Sequence, residues 1–192
     1  MKHMMMITFL VVSLFGSDIE SAEFLQKSCD SGNAWSCYNL GELYYTGKGV
    51  NQDDFKAAKF LQKSCDGGNT FGCFLLGTMY DIGNKIKQDS FKAVELFKKS
   101  CDGENPFGCN NLGVAYYFGK GVKQNFTKAV ELYKKACDNG YPLGCNNLGS
   151  AYEEGKGLKQ DKKKAKELFG KACDEKNAYG CENYKRLNEQ GY

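Results

Sequence analysis

Between Ala34 and Tyr44 the apolar positions Cys37, Leu40 and Tyr44 fall at spacings of three and four, which places them on one stripe of an α-helix facing a partner. A glycine follows each stripe leucine, at Gly41, Gly77, Gly113 and Gly149. Glycine inside a helix is destabilising unless a neighbouring backbone must come close, so these positions mark tight helix contacts. The helix is predicted to stop at Gly47, Gly83, Gly119 or Gly155, after which a short loop such as 48–52 leads to Asp53, a good N-cap. A second helix over 55–65 then buries Ala57, Phe60, Leu61 and Cys65. The two prolines, Pro106 and Pro142, stand where the next first helix begins, the place a helix tolerates proline best.

This two-helix pattern recurs. Cysteines stand at 29, 65, 101, 137 and 173 and again at 37, 73, 109, 145 and 181, both series advancing by 36 residues. Self-similarity at such a period predicts repeated supersecondary units that share a continuous core. The expected fold is all-α: a right-handed superhelical α-solenoid of disulfide-bridged antiparallel helix hairpins over 17–192. It would hold five cysteine-bridged hairpins with half-units at both ends. Residues 19 to 29 repeat the second-helix motif with no first helix before them, and 177 to 190 form a first helix in which Tyr184-Lys185 replaces Leu-Gly. The latter has a polar outer side and reads as a terminal cap.

Two cysteine pairings are geometrically sensible. Local pairing joins Cys29 to Cys37, Cys65 to Cys73, Cys101 to Cys109, Cys137 to Cys145 and Cys173 to Cys181. The alternative joins Cys37 to Cys65 and so on along the chain, leaving Cys29 and Cys181 over. Loop entropy favours the longer loops slightly, about 3.5 against about 2.5 kcal/mol per bridge, whereas parity favours the local set, which uses all ten. Zinc is disfavoured, because seven residues separate the cysteines of a pair and the sole histidine, His3, lies near the N-terminus. No metal and no cofactor are expected.

Ten cysteines within the repeats argue for an oxidising compartment. Lys2 and His3 precede an apolar run from Met4 to Phe15, too short to span a bilayer and suited to a signal-peptide core. Residues 1–16 are therefore expected to be a leader, with a secreted or periplasmic mature protein. The alternative is an uncleaved apolar helix that caps or anchors the solenoid, the one route to a membrane. Beyond Gly16 the chain keeps 25 of its 26 basic residues against 23 acidic ones, so nothing calls for nucleic acid as a partner.

The absence of a second histidine removes Ser-His-Asp and Cys-His arrangements. No P-loop, no Gly-x-Ser-x-Gly, no Ser-x-x-Lys and no His-Glu-x-x-His is present. Glu153 and Glu154 are adjacent carboxylates, but neighbours on a helix point different ways, which suits solvated side chains better than an acid-base couple.

Leu40-Gly41, Tyr44, Gly47, Gly49-Val50, Asp53 and Lys56-Ala57 together resemble the Sel1-like repeat, a relative of the tetratricopeptide repeat. With a Cys-x7-Cys pair in each repeat, the chain most resembles the Helicobacter cysteine-rich protein family. Gly49 is replaced by Lys85 and Asp53 by Asn125 in single copies. That resemblance implies penicillin binding and weak β-lactam hydrolysis, although none of the usual β-lactamase motifs stands behind it here.

Resemblance to tetratricopeptide grooves implies capture of an extended peptide by the first helices. Asn39, Asn110, Asn111, Asn146, Asn147 and Asn183 sit mid-helix despite poor helix propensity. An amide donates and accepts at once, which suits a peptide backbone. Tyr38, Glu42, Tyr117 and Ser150 complete the expected concave groove, Tyr45, Thr78, Asp81, Val114 and Glu153 border it, and Phe74-Leu75 leave an apolar gap. The other role open to the asparagines is bonding between neighbouring helices. The expected function is thus an exported binding module for a peptide or peptide-like cell-wall ligand. Alternatives are a weak hydrolase acting on penicillin-type molecules, and a structural spacer or host-facing effector with host-protein partners.

Overall fold

The computed structural model describes residues 21–83 and 85–192. The expected leader, 1–16, lies outside them. The chain forms two compact units, 1–88 and 89–192. Among the described residues the N-terminal unit holds α1 (21–30), α2 (Ala34–Thr46), α3 (Asp54–Asp66) and α4 (Thr70–Ile82). The C-terminal unit holds α5 (Ser90–Asp102), α6 (Pro106–Phe118), α7 (Phe126–Asp138), α8 (Pro142–Glu154), α9 (Lys162–Asp174) and α10 (Ala178–Glu189). There is no strand among the described residues. The protein is an all-α stack of helix hairpins.

Short-range chemistry sets the helix ends. Asp53, Asp89, Asn125 and Asp161 cap α3, α5, α7 and α9 with their side chains. Asn33, Asn69, Asn105 and Asn177 do the same for α2, α4, α6 and α10, while Tyr141 at the start of α8 offers no side-chain cap. Gly47, Gly83, Gly119 and Gly155 end the first helices in the left-handed region. Three residues then suffice to turn from each second helix into the next first helix, as in 31–33. That turn uses a left-handed residue which is Gly32, Gly68 or Gly140 in three copies but Glu104 and Lys176 in the others.

The disulfides close across these turns: Cys29–Cys37, Cys65–Cys73, Cys101–Cys109, Cys137–Cys145 and Cys173–Cys181, with Cα atoms 4.4 to 4.6 Å apart. The local pairing follows from the hairpin. The last turn of one helix and the first turn of the next lie side by side across a three-residue turn, which brings the two cysteines of each local pair together. Four of the bridges are part of the core, which is otherwise made largely of alanine, leucine and aromatic side chains, while the Cys173–Cys181 bridge is half-buried. Gly149 shows why the mid-helix glycines are needed: a Cβ there would lie 2.7 Å from Cε1 of the fully buried Phe169.

Lysines tie successive second helices together. Lys135 Nζ donates to the Cys101 carbonyl at 2.8 Å and Lys171 Nζ to the Cys137 carbonyl at 3.3 Å, so each supplies a cation to the preceding helix's C-terminus. Lys63, at the same repeat position, pairs instead with Asp30 at 2.7 Å. The last helix, α10, has its own anchor. Leu187 of α10 is fully buried, while Tyr184, standing in the usual leucine position, is partly exposed.

Candidate functional site: the first-helix faces

In the C-terminal unit the asparagines form a ladder. Asn110, only 1% exposed, follows the disulfide residue Cys109 on α6. Its Nδ2 donates to Asn111 Oδ1 at 3.3 Å, and its Oδ1 accepts from Asn147 Nδ2 of α8 at 2.8 Å. One repeat later Asn183 Nδ2 of α10 donates to Asn146 Oδ1 at 3.0 Å. Asn110 and Asn146 therefore lie beneath the face, which corrects their expected place in a groove. Their position points at the next first helix, where a buried amide must find a partner.

The same ladder fixes the residues above it. Asn111 and Asn147 are half-buried, and both lean on the Asn110 amide. Asn111 Nδ2 and Asn147 Oδ1 have no hydrogen-bond partner among the described residues, so one donor and one acceptor remain for a ligand. Ser150 is half-buried and donates its hydroxyl to the Asn146 carbonyl at 3.1 Å. Asn183 is engaged on both sides, since its Oδ1 accepts from Arg186 Nη2 at 3.3 Å.

The adjacent carboxylates point to different neighbours, as expected; Glu154 stays exposed, whereas Glu153 is half-buried rather than solvated. Glu153 accepts both guanidinium branches of Arg186 at 2.7 Å, locking α10 to α8, and this carboxylate holds the guanidinium above its usual pKa. Glu154 accepts from Tyr117 Oη at 2.6 Å and pairs with Lys156 at 2.7 Å. Burial works to raise the Glu154 carboxyl, but the hydrogen bonds from Lys156 and Tyr117 prevail and hold it below its ordinary value. Burial, and then the Glu154 contact, push the Tyr117 phenol up. Tyr117 also packs edge-on against Phe118 and Phe126, at 5.0 and 5.1 Å between centroids. It thus serves as a clamp between repeats, with the Lys156 ammonium donating to its oxygen at 2.9 Å.

In the N-terminal unit the corresponding face is aromatic. Tyr38 is half-buried, while Asn39 and Glu42 are exposed. Trp35 and Phe71, which the sequence reading passed over, join Tyr38 in a three-ring cluster with centroids 5.6 to 6.2 Å apart. Trp35 remains 57% exposed. Its signal in the sequence was its position, one residue into α2, where the other repeats carry Phe71, Phe107, Leu143 and Tyr179.

A separate hollow of about 610 Å³ in this unit is lined by Tyr44, Val50, Gln52, Asp53 and Lys56. It gathers no chemistry beyond Lys56 and Asp53, which face each other at 3.9 Å. No group of three or more metal-binding side chains occurs among the described residues, and no described helix is long and apolar enough to cross a membrane.

The Sel1 repeat model matches residues 36–69, 70–105, 106–141 and 142–177. No curated protein matches the chain. A protective antigen present in uropathogenic Escherichia coli strains, with an SLR fold, is 30% identical over 88% of this chain with a TM-score of 0.83. The chain spans 36% of that protein's length. Helicobacter pylori cysteine rich protein B is 28% identical, with a TM-score of 0.56 over 68% of this chain and 94% of its own. A Sel1 repeat protein from Oxalobacter formigenes shares the fold at 21% identity and a TM-score of 0.79, over 90% of this chain and 78% of its own.

Proposed function

The chain belongs to the Sel1 repeat family, and from that premise we propose that it is an exported, disulfide-stapled binding module that holds an extended peptide, or a peptide-like cell-wall fragment, on its first-helix faces. The observation that carries the reading is the half-buried pair Asn111 and Asn147. The buried Asn110 amide orients both, leaving Nδ2 of one and Oδ1 of the other to meet a peptide carbonyl and a peptide N–H. Ordering these amides beforehand lowers the entropy lost on binding.

Five largely buried disulfides fit an oxidising compartment, and the apolar leader expected over 1–16 supports export to the periplasm or beyond. The similarity to an Escherichia coli protective antigen is in keeping with an exported role.

The test is binding of extended peptides and cell-wall stem peptides to the oxidised protein and to its Asn111→Ala, Asn147→Ala double variant. Loss of about two hydrogen bonds, roughly 1 kcal/mol each, should weaken binding about tenfold or more. A double variant that keeps its helical fold and binds a confirmed peptide as tightly as the parent would remove the assignment.

A further inference from the structure

In the N-terminal unit the basic residues of the helices stand on the second helices and not on the first. The first helices α2 and α4 contain no lysine or arginine and carry one acid each, Glu42 and Asp81. The second helix α3 between them contains Lys56, Lys59 and Lys63. Helix propensity gives no reason for this division, since lysine is a good helix former in either set.

On α2 the residues Trp35, Tyr38, Asn39 and Glu42 follow spacings of three, one and three, so they share one face. Trp35 stands edge-on to Tyr38 at 5.9 Å and tilted over Phe71 at 5.6 Å, which fixes its indole while leaving more than half of it in water. An exposed, pre-ordered tryptophan is the side chain that most often anchors an interface. Glu42 is exposed, and its carboxylate has no ion-pair partner among the described residues. It lies near enough to Tyr38 to act on that phenol, which burial and then the Glu42 charge push up. Elsewhere the protein covers aromatic faces with its own ammonium groups, Lys56 over Tyr44 at 5.1 Å and Lys63 over Phe60 at 5.8 Å. The indole of Trp35 carries no such cation among the described contacts.

We propose that this face of the N-terminal unit docks an arginine- or lysine-bearing extended segment of a partner protein. The cation stacks on Trp35 and Tyr38 and pairs with Glu42, while Asn39 meets the segment's backbone. A carboxylate beside an aromatic platform complements a cationic side chain in charge and shape. The inference rests on the reading that first-helix faces capture extended peptides, and it adds the charge of the ligand and a second anchor point.

The experiment uses the oxidised full chain and three fluorescently labelled extended peptides of one length, bearing alternate arginines, glutamines or glutamates. Peptide anisotropy reports binding, and intrinsic fluorescence reports the site, because Trp35 is the only tryptophan in the sequence. The arginine peptide is expected to bind roughly tenfold more tightly than the glutamine peptide and to change the Trp35 emission. Glu42→Gln should weaken the arginine peptide about threefold to tenfold and so narrow its advantage over the glutamine peptide, and Trp35→Leu should weaken the arginine peptide by a similar factor and by more than it weakens the glutamine peptide. Both residues are exposed, so both variants keep the fold. Equal binding of the arginine and glutamine peptides overturns the cationic ligand while sparing peptide capture. A preference for arginine that survives both substitutions overturns the Trp35 face, and failure of all three peptides to bind overturns both this inference and the reading beneath it.

Discussion

Removing the Asn110 amide tests the asparagine ladder directly. Asn110→Ala deletes two hydrogen bonds, one to Asn147 at 2.8 Å and a longer one to Asn111 at 3.3 Å, and strips Asn147 Nδ2 of its partner across the helix interface. A net hydrogen bond is worth about 1 kcal/mol, and stranding a partly buried partner adds about 1 kcal/mol or more. The single substitution should therefore destabilise by about 2–3 kcal/mol. Asn147→Ala loses the same interhelix bond and leaves the buried Asn110 Oδ1 without its donor, about 2 kcal/mol. Once either amide is gone the second has less to lose, so the double variant should fall short of the sum by about 1–2 kcal/mol. Urea unfolding of the oxidised protein, followed by helical circular dichroism, yields all four corners of this cycle. Asn39→Ala combined with Asn110→Ala is the control, because the two asparagines share no partner and should add to within about 0.5 kcal/mol. A coupling energy for Asn110 and Asn147 below about 0.3 kcal/mol would refute the ladder as a packing device. It would also remove the reason for Asn111 and Asn147 to be held in place.

Two further outcomes are expected. Lys176 has φ of 62° at a turn position where three other copies use glycine, so Lys176→Gly should stabilise the C-terminal unit by about 1 kcal/mol in the same urea assay, and a loss of stability would count against the strain argument. Cys173 and Cys181 are half-buried while the remaining bridged cysteines are 6% exposed or less, so brief treatment with a dithiol followed by alkylation and mass mapping should label this pair first. Earlier labelling of Cys101 and Cys109 would show that access does not set the order.

The sequence by itself determined the repeat, the helix boundaries and the core. A period of 36 residues is visible directly, and the elements within it depend on interactions a few residues long: Asp53 capping its own helix, Gly47 ending one, Leu40 and Tyr44 sharing a stripe. The local disulfides were favoured in the sequence by parity alone, since only that pairing uses all ten cysteines, and the three-residue turns between helices are what bring each pair together. The sequence also showed where amides and aromatics gather on the first helices. It did not show which of two adjacent asparagines, Asn110 or Asn111, is buried. That depends on how one first helix is rotated against the next, which packing of Tyr133 and Phe169 against Gly113 and Gly149 decides. Contacts across repeats, such as Asn147 to Asn110 or Arg186 to Glu153, join residues 37 or 33 apart that no local rule pairs. The partners of Glu153 and Glu154 were settled in the same way. Adjacent on one helix, they diverge by about 100° and so meet different neighbours, one in the next first helix and one in the preceding repeat. Local free energies write the elements, but only the stacking of whole helices selects which polar atoms are spent inside and which are left for a partner.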